Sequence, residues 1–166
     1  MKRSAVLPIL LALLFGALSP PAVSGRSHHR SERMVEWSAT APPVNQTHIF
    51  EGQINRRGKP VGFHARPGGR NPAGARVVRL LDGPNRSGVY TAEVEIRSGD
   101  RWLEKTSTFY PDAMSREEVL QAILHAFRGR AGSGGEKFRG PSGRGFTIEG
   151  YFQDGRINTA YPIFQR

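Results

Sequence analysis

The alternation of hydrophobic and polar residues predicts antiparallel strands along most of the chain. From Tyr90 to Ile96, apolar and polar positions alternate with a period of two, which is typical of a strand with one buried face. A turn at residues 97–100 leads into a second run, residues 102–109. Two shorter runs, residues 47–54 and 61–65, flank a turn-rich segment and predict a hairpin or a loop-joined pair of strands.

One helix is predicted, and its start is marked by a capping box at Ser115-Arg116-Glu117-Glu118. Apolar residues then recur at helical spacing along one face: Val119, Leu120, Ile123, Leu124 and Phe127. After the helix, residues 129–145 contain seven glycines interleaved with basic residues, which predicts a flexible basic loop.

The end of the chain carries the strongest hairpin signal, since Asp154-Gly155 joins the runs 146–152 and 156–163. A two-residue turn sets a register that pairs Phe152 with Ile157, Gly150 with Thr159 and Ile148 with Tyr161. The side chains of Thr159 and Tyr161 are then expected on one face of the strand. The elements together predict a small single-domain α+β fold, an antiparallel β-sheet with one main helix.

The N-terminal pattern is that of a secretory signal peptide over residues 1–24. Lys2 and Arg3 precede an uncharged apolar stretch at residues 5–18, and Ala22-Val23-Ser24 fits a small-x-small cleavage site. Residues 25–45 are polar and predict an N-terminal tail or connector, so the folded domain is expected over residues 46–166. The expected location is secreted or periplasmic, with no membrane association of the mature form.

The composition limits the catalytic groups and the binding partners that the protein can have. The 166 residues, sufficient for about one domain, include no cysteine, which excludes disulfides, thiol catalysis and Cys-ligated metal centres. The chain has 24 Lys+Arg against 14 Asp+Glu, a net charge of +10, and residues 55–81 hold seven basic residues and no acidic one. This density suits a polyphosphate such as RNA, although solubility or binding to membrane or cell-wall polyanions would also explain it.

His48 and His64 are candidates for acid–base chemistry, because each lies within an apolar run. Two imidazoles facing one site can take a proton from the 2′-hydroxyl of RNA and give one to the departing 5′-oxygen. Lys105 is the only lysine in a predicted strand and is the candidate cation for the phosphate, with Lys59, Lys137 or an arginine as alternatives. The competing interpretation is that both histidines are ordinary packed side chains.

Four motifs occur in the order and approximate spacing of the EndoU endoribonuclease family: His48-Ile49-Phe50 with Gly52, Gly62-Phe63-His64, the stretch KTSTFYP at 105–111, and Thr159-Ala160-Tyr161-Pro162. The chain resembles the bacterial branch of this family, which is often found as toxin tips of secreted systems. The resemblance covers residues 46–166 and implies a barnase-like fold. It also implies an RNA endonuclease that cuts at uridine-favoured sites and leaves 2′,3′-cyclic phosphate and 5′-hydroxyl ends.

Carried over to this chain, the resemblance assigns the chemistry to His48, His64 and Lys105, and the lining of the base pocket to Thr159 and Tyr161. His64 is favoured as the base and His48 as the acid. No cofactor is expected, although stimulation by manganese is left open. The expected partners are RNA and a cognate immunity or inhibitor protein, and the mature chain is expected to be a monomer.

Two other classes of protein compete with a secreted endoribonuclease. The first is a non-catalytic, basic, polyanion- or RNA-binding exported module, which the Gly/Arg-rich loops favour. The second is a structural or inhibitor-type exported protein, which burial of both Thr159 and Tyr161 would favour.

Overall fold

The fold is taken from a computed structural model, which describes residues 34–131 and 135–166. The signal peptide predicted for residues 1–24 and the first part of the connector, up to residue 33, lie outside the described residues. Within the described ranges, none of the helices has the length and apolar character needed to cross a membrane.

Three antiparallel sheets and one long helix form the described fold. A small sheet pairs β1 (Gln53–Ile54) with β2 (Pro60–Val61). A second sheet has the order β3-β4-β5, and a third has the order β6-β7-β8. Their bounds are Ala75–Asp82 for β3, Tyr90–Ser98 for β4, Arg101–Phe109 for β5, Lys137–Pro141 for β6, Thr147–Gln153 for β7 and Arg156–Pro162 for β8. The α+β class is confirmed, with the predicted sheet divided into three.

The predicted helix is confirmed as α1 (Arg116–Arg128). The Ser115 side chain accepts a hydrogen bond from the Glu118 backbone N–H, and the Glu118 carboxylate accepts one from the Ser115 N–H. The apolar face of α1 joins the larger core cluster, together with residues of the third sheet. Gly140 of β6 lies directly against the Ala126 carbonyl, so a side chain there has no space.

The second sheet places two polar side chains on its inner face. On β4, Tyr90, Ala92, Val94 and Ile96 are buried, as the alternation predicts. On β5, Lys105 lies opposite Val94 and Ser107 lies opposite Ala92, so both face the same inner side of the sheet. The edge strand β3 is not predicted from the sequence, because most of its residues are exposed and its ladder is interrupted by two irregularities.

The strand expected over residues 47–54 is wrong in its first part, because Thr47–Glu51 forms a π-helical turn instead. The side-chain oxygen of Asn45 accepts a hydrogen bond from the backbone N–H of His48 at 2.9 Å, which starts the turn. Gly52 ends it with a φ of 69°. The strand expected over residues 61–65 is likewise wrong beyond Val61, since β2 covers only Pro60–Val61.

The hairpin β7–β8 is confirmed, but its predicted register holds only next to the turn. Phe152 pairs with Ile157, and then one extra residue in β8, a β-bulge, shifts the ladder. Thr159 therefore lies opposite Tyr151 instead of Gly150, and Tyr161 lies opposite Glu149 instead of Ile148. The predicted basic loop is also corrected, because part of residues 129–145 forms the strand β6.

The last part of the predicted connector packs as part of the folded unit. Val44 is fully buried and forms an isolated bridge with Ile157. The Asn45 N–H donates a backbone hydrogen bond to the Ile157 carbonyl at 3.0 Å, and Trp37 bridges Asn45. These contacts anchor the residues that lead directly into the His48 turn.

Candidate active site

Backbone hydrogen bonds bring His48 and His64 together. The N–H of Phe63 donates to the His48 carbonyl at 2.8 Å, and the N–H of His64 donates to the Ile49 carbonyl at 2.7 Å. Gly62 makes this approach possible, because its φ is 78° and a Cβ there would collide with the His48 carbonyl oxygen. The two imidazole ring centroids lie 5.8 Å apart.

The surroundings of His64 determine which ring nitrogen carries the proton. Its Nδ1 lies 3.1 Å from the Thr108 carbonyl oxygen and 3.0 Å from Ser107 Oγ. The Ser107 hydroxyl donates to the Phe63 carbonyl at 2.7 Å, so its proton is already used. Since a carbonyl oxygen only accepts, Nδ1 carries the hydrogen in the neutral ring. The lone pair of His64 is therefore on Nε2.

His48 has the opposite arrangement. The amide nitrogen of Gln53, a donor, approaches Nδ1 of His48 at 3.4 Å. Nδ1 is therefore the acceptor in the neutral ring, and the hydrogen is on Nε2. Two neighbouring imidazoles thus differ in the state of Nε2: it carries the lone pair on His64 and the hydrogen on His48.

Lys105 approaches the segment that joins the two histidines. Its Nζ donates to the Gly62 carbonyl at 3.0 Å, and burial lowers its pKa from 10.5 to about 8. It therefore remains protonated at neutral pH. Of the alternative cations, Lys59 is exposed in the turn between β1 and β2, and Lys137 forms an ion pair with Glu149 at 2.9 Å.

Both histidines are held neutral in the free protein. Burial is the main cause and the charge of Lys105 is the second, and together they lower the pKa of His48 from 6.5 to about 4. The same two causes, with a smaller contribution from His48, hold the pKa of His64 well below 6.5. At neutral pH the free site therefore contains one ammonium and two uncharged imidazoles.

Tyr161 also lies beside His64. Its ring centroid is 5.3 Å from that of His64, and its hydroxyl donates to Glu149 Oε1 at 2.6 Å. Thr159 is on the same face of β8, and its hydroxyl oxygen is buried without a hydrogen-bond partner among the described residues. Both side chains as a whole are partly exposed, so the burial that would favour a structural protein is not observed.

Sequence reasoning missed Ser107 and Glu149. Ser107 was visible as a residue two positions from Lys105, and therefore on the same face of a strand. Glu149 was hidden by the predicted register, which placed Ile148 opposite Tyr161. The single acidic residue of this strand, next to the apolar Ile148, was the available signal.

The remaining histidine among the described residues, His125, is exposed on α1, where its Nδ1 bonds to the Pro141 carbonyl at 2.9 Å. His28 and His29 lie outside the described residues. In the described ranges, no group of three or more His, Cys, Asp or Glu side chains is arranged to hold a metal ion.

Two adjacent histidines with complementary Nε2 atoms, a lysine and a neighbouring tyrosine define a site of the acid–base type in a small α+β domain. The chain belongs to the bacterial EndoU nuclease family, whose sequence model matches residues 43–164. A toxin of Bacillus cereus is 30% identical over 129 aligned residues, which cover 72% of this chain and 22% of the toxin. The chain thus spans about a fifth of that relative. No solved structure shows a significant match.

Proposed function

We propose that this protein is an endoribonuclease toxin that cleaves RNA by transesterification, with a preference for uridine. The observation that carries the proposal is the adjacency of the two imidazoles, whose ring centroids lie 5.8 Å apart, with Nε2 of His64 free to accept a proton and Lys105 bonded to the segment that joins them. Membership of a nuclease family and similarity to a toxin support the substrate class and the role.

In the proposed reaction, Nε2 of His64 takes the proton of the 2′-hydroxyl, and the 2′-oxygen attacks the adjacent phosphorus. The bond from phosphorus to the 2′-oxygen forms as the bond to the 5′-oxygen breaks. His48 gives its proton to the departing 5′-oxygen. The products carry a 2′,3′-cyclic phosphate and a 5′-hydroxyl, and protons and electrons balance without a cofactor.

His48 must be protonated to act as an efficient acid, although its pKa in the free protein is about 4. A bound phosphodiester carries one negative charge, which favours the imidazolium and opposes the effect of Lys105. Substrate binding thus raises the pKa of His48 towards neutral pH. Lys105 is the proposed cation that stabilises the charge developing on the phosphate oxygens.

Thr159 and Tyr161 are the proposed contacts to the base. Thr159 is partly exposed, and its hydroxyl lacks a partner among the described residues, so a rotation of the side chain would present the hydroxyl to the substrate. The Tyr161 ring lies close enough to His64 to contact the nucleoside whose 2′-hydroxyl reacts. The preference for uridine rests on the family resemblance.

The biological setting is proposed from the sequence. The net charge of +10 favours RNA as the partner through its phosphates, and the N-terminal pattern favours secretion or a periplasmic location. A cognate immunity protein would protect the producing cell, and manganese would act at most as a stimulant.

The test is incubation of the purified protein in EDTA with a short RNA that contains one uridine. We expect a single cut with a 2′,3′-cyclic phosphate end, and no cut when that uridine is replaced by 2′-deoxyuridine. His48→Ala and His64→Ala should each lower the rate by about 10²- to 10⁴-fold, the usual contribution of one acid or base. His125→Ala is the matched control, because His125 is exposed on α1.

RNA binding measured in parallel separates the alternatives. Salt-sensitive binding of RNA and DNA without new RNA ends, even after manganese is added, would favour the non-catalytic polyanion-binding module. Undiminished cleavage by both histidine variants would remove the proposed mechanism.

A further inference from the structure

Glu149 is a buried carboxylate next to the site, and three donors surround it. Only 8% of its side chain is exposed. It accepts hydrogen bonds from the Tyr161 hydroxyl at 2.6 Å and from Arg139 at 2.6 Å, and Lys137 Nζ lies 2.9 Å away. The position follows from the ladder of the third sheet, in which Glu149 lies between Arg139 of β6 and Tyr161 of β8.

Glu149 remains ionised at neutral pH. Burial alone would raise its pKa, but the hydrogen bonds from Tyr161, Arg139 and Lys137 outweigh burial and lower the pKa from 4.5 to about 2. An ionised carboxylate only accepts hydrogen bonds. The single proton of the Tyr161 hydroxyl is therefore directed to Glu149.

This bond restricts what Tyr161 can offer to a substrate. With its proton committed, the phenol retains an acceptor lone pair and the face of its ring, but no donor. The same bond restrains the ring, whose centroid lies 5.3 Å from that of His64. Arg139 and Lys137 remain partly exposed, so Glu149 also links the tyrosine to two cations at the surface.

We infer that Glu149 is a positioning residue that fixes the Tyr161 ring beside His64 and commits its hydroxyl proton. Tyr161 then contacts the substrate through its ring and as an acceptor, not as a donor. The inference rests on the proposed function for its kinetic consequences, whereas the positioning itself is measurable in the free protein. The competing explanation is that Glu149 only stabilises the third sheet.

A double-mutant cycle on kcat/KM tests the inference with Glu149→Gln, Tyr161→Phe and the double variant. Glu149→Gln should lower kcat/KM by about ten- to hundredfold, the range expected for a charge-assisted hydrogen bond. In the Tyr161→Phe background the same substitution should have little further effect, because the bond is already absent. Independent, additive effects of the two substitutions would overturn the inference.

Glu93→Gln is the matched control. Glu93 also bonds an arginine across two strands, Arg79 at 2.8 Å, but in the second sheet and on the face opposite to Lys105. It should leave kcat/KM unchanged. Tyr161→Phe serves as the second variant if Glu149→Gln fails to fold, because it removes the same bond and leaves Glu149 with its two cations.

An NMR measurement on the free protein separates this inference from the proposed function. The side-chain carbon resonances of Tyr161 and His64 should both shift in Glu149→Gln and remain in place in Glu93→Gln. If the wild type does not cut RNA but these resonances shift, the proposed function fails and the positioning role stands. If the wild type cuts RNA and the His64 resonance does not move, the positioning role is wrong.

Discussion

At the scale of single residues, Ser107 influences which ring nitrogen of His64 carries the hydrogen. Its hydroxyl donates to the Phe63 carbonyl at 2.7 Å and lies 3.0 Å from Nδ1 of His64. It therefore supports the segment that carries His64 and presents an acceptor to the Nδ1 hydrogen, alongside the Thr108 carbonyl. A neutral histidine is useful as a base only when the correct nitrogen is free, so in the proposed mechanism Ser107 would support His64 without contacting RNA.

We expect Ser107→Ala to lower kcat by about fivefold, since one neutral hydrogen bond contributes about 1 kcal/mol. The Thr108 carbonyl still accepts from Nδ1, which limits the loss. Single-turnover cleavage of the uridine-containing RNA measures the effect. Thr106→Ala is the control, because Thr106 is exposed on the opposite face of the same strand. Equal rates for wild type and Ser107→Ala would contradict this role.

At the scale of elements, the site depends on how closely the His48 turn and the His64 segment approach. Gly62 lies at their contact, with a φ of 78° and the His48 carbonyl directly against the place where a Cβ would be. Gly58, in the turn between β1 and β2, has a similar φ of 74° but no atom within 4 Å of that place. Substitutions at the two glycines therefore distinguish the effect of a left-handed backbone from the effect of a steric collision.

Gly62→Ala should abolish most of the activity and lower the free energy of unfolding by more than Gly58→Ala does. Gly58→Ala should lower the free energy of unfolding only by the strain of a left-handed alanine, about 1–2 kcal/mol. Gly62→Ala should in addition move His48 away from His64. Urea unfolding and RNA cleavage measured on both variants provide the comparison. Equal effects of the two substitutions on cleavage would show that the close approach is not required.

The elements that the sequence predicts correctly are those determined by local patterns. Helix α1 has a capping box and an apolar face, and β4 alternates strictly, so neither depends on distant contacts to be recognised. The His48 turn was mistaken for a strand because its β-branched Thr47 and Ile49 favour extended structure, while the Asn45 side chain starts a helical turn. Burial of Thr47, Ile49 and Phe50 in the folded protein then stabilises the turn.

The same distinction applies to the site. Residue types identified His48, His64 and Lys105, and the structure brings them together. Ser107, which lies beside Nδ1 of His64, and Glu149, which accepts a hydrogen bond from Tyr161, were not found. For Glu149, one extra residue in β8 moved the ladder by one position, which a two-residue turn does not reveal.

At the scale of the whole molecule, the buried site makes the free energy of unfolding depend on pH. The folded protein buries two imidazoles and an ammonium close together, with no carboxylate bonded to any of them among the described contacts. Burial lowers all three pKa values, and the charge of Lys105 lowers those of the two histidines further. The unfolded chain then binds protons more readily than the folded protein, which makes stability decrease as the pH falls.

The acid limb of stability should therefore be steep below about pH 6.5. Above this value the histidines are neutral in both states; below it the unfolded chain gains protons, while folded His48 remains neutral down to about pH 4. Each unit by which the pH falls lowers the free energy of unfolding by about 1.4 kcal/mol per group, so His48 alone accounts for a loss of at most about 3 kcal/mol. Lys105 acts between 10.5 and about 8 and leaves this window unaffected.

Urea unfolding of the wild type, His48→Gln and His125→Gln between about pH 7 and about pH 4.5 isolates this contribution, because the carboxylates are common to all three proteins. His48→Gln should lose less stability than the wild type as the pH falls, and His125→Gln should follow the wild type. Parallel curves for wild type and His48→Gln would mean that His48 binds its proton over the same pH range in the folded and the unfolded protein, so that burial does not lower its pKa. Part of the free protein would then carry the imidazolium near neutral pH, and the phosphate would not be needed to protonate His48.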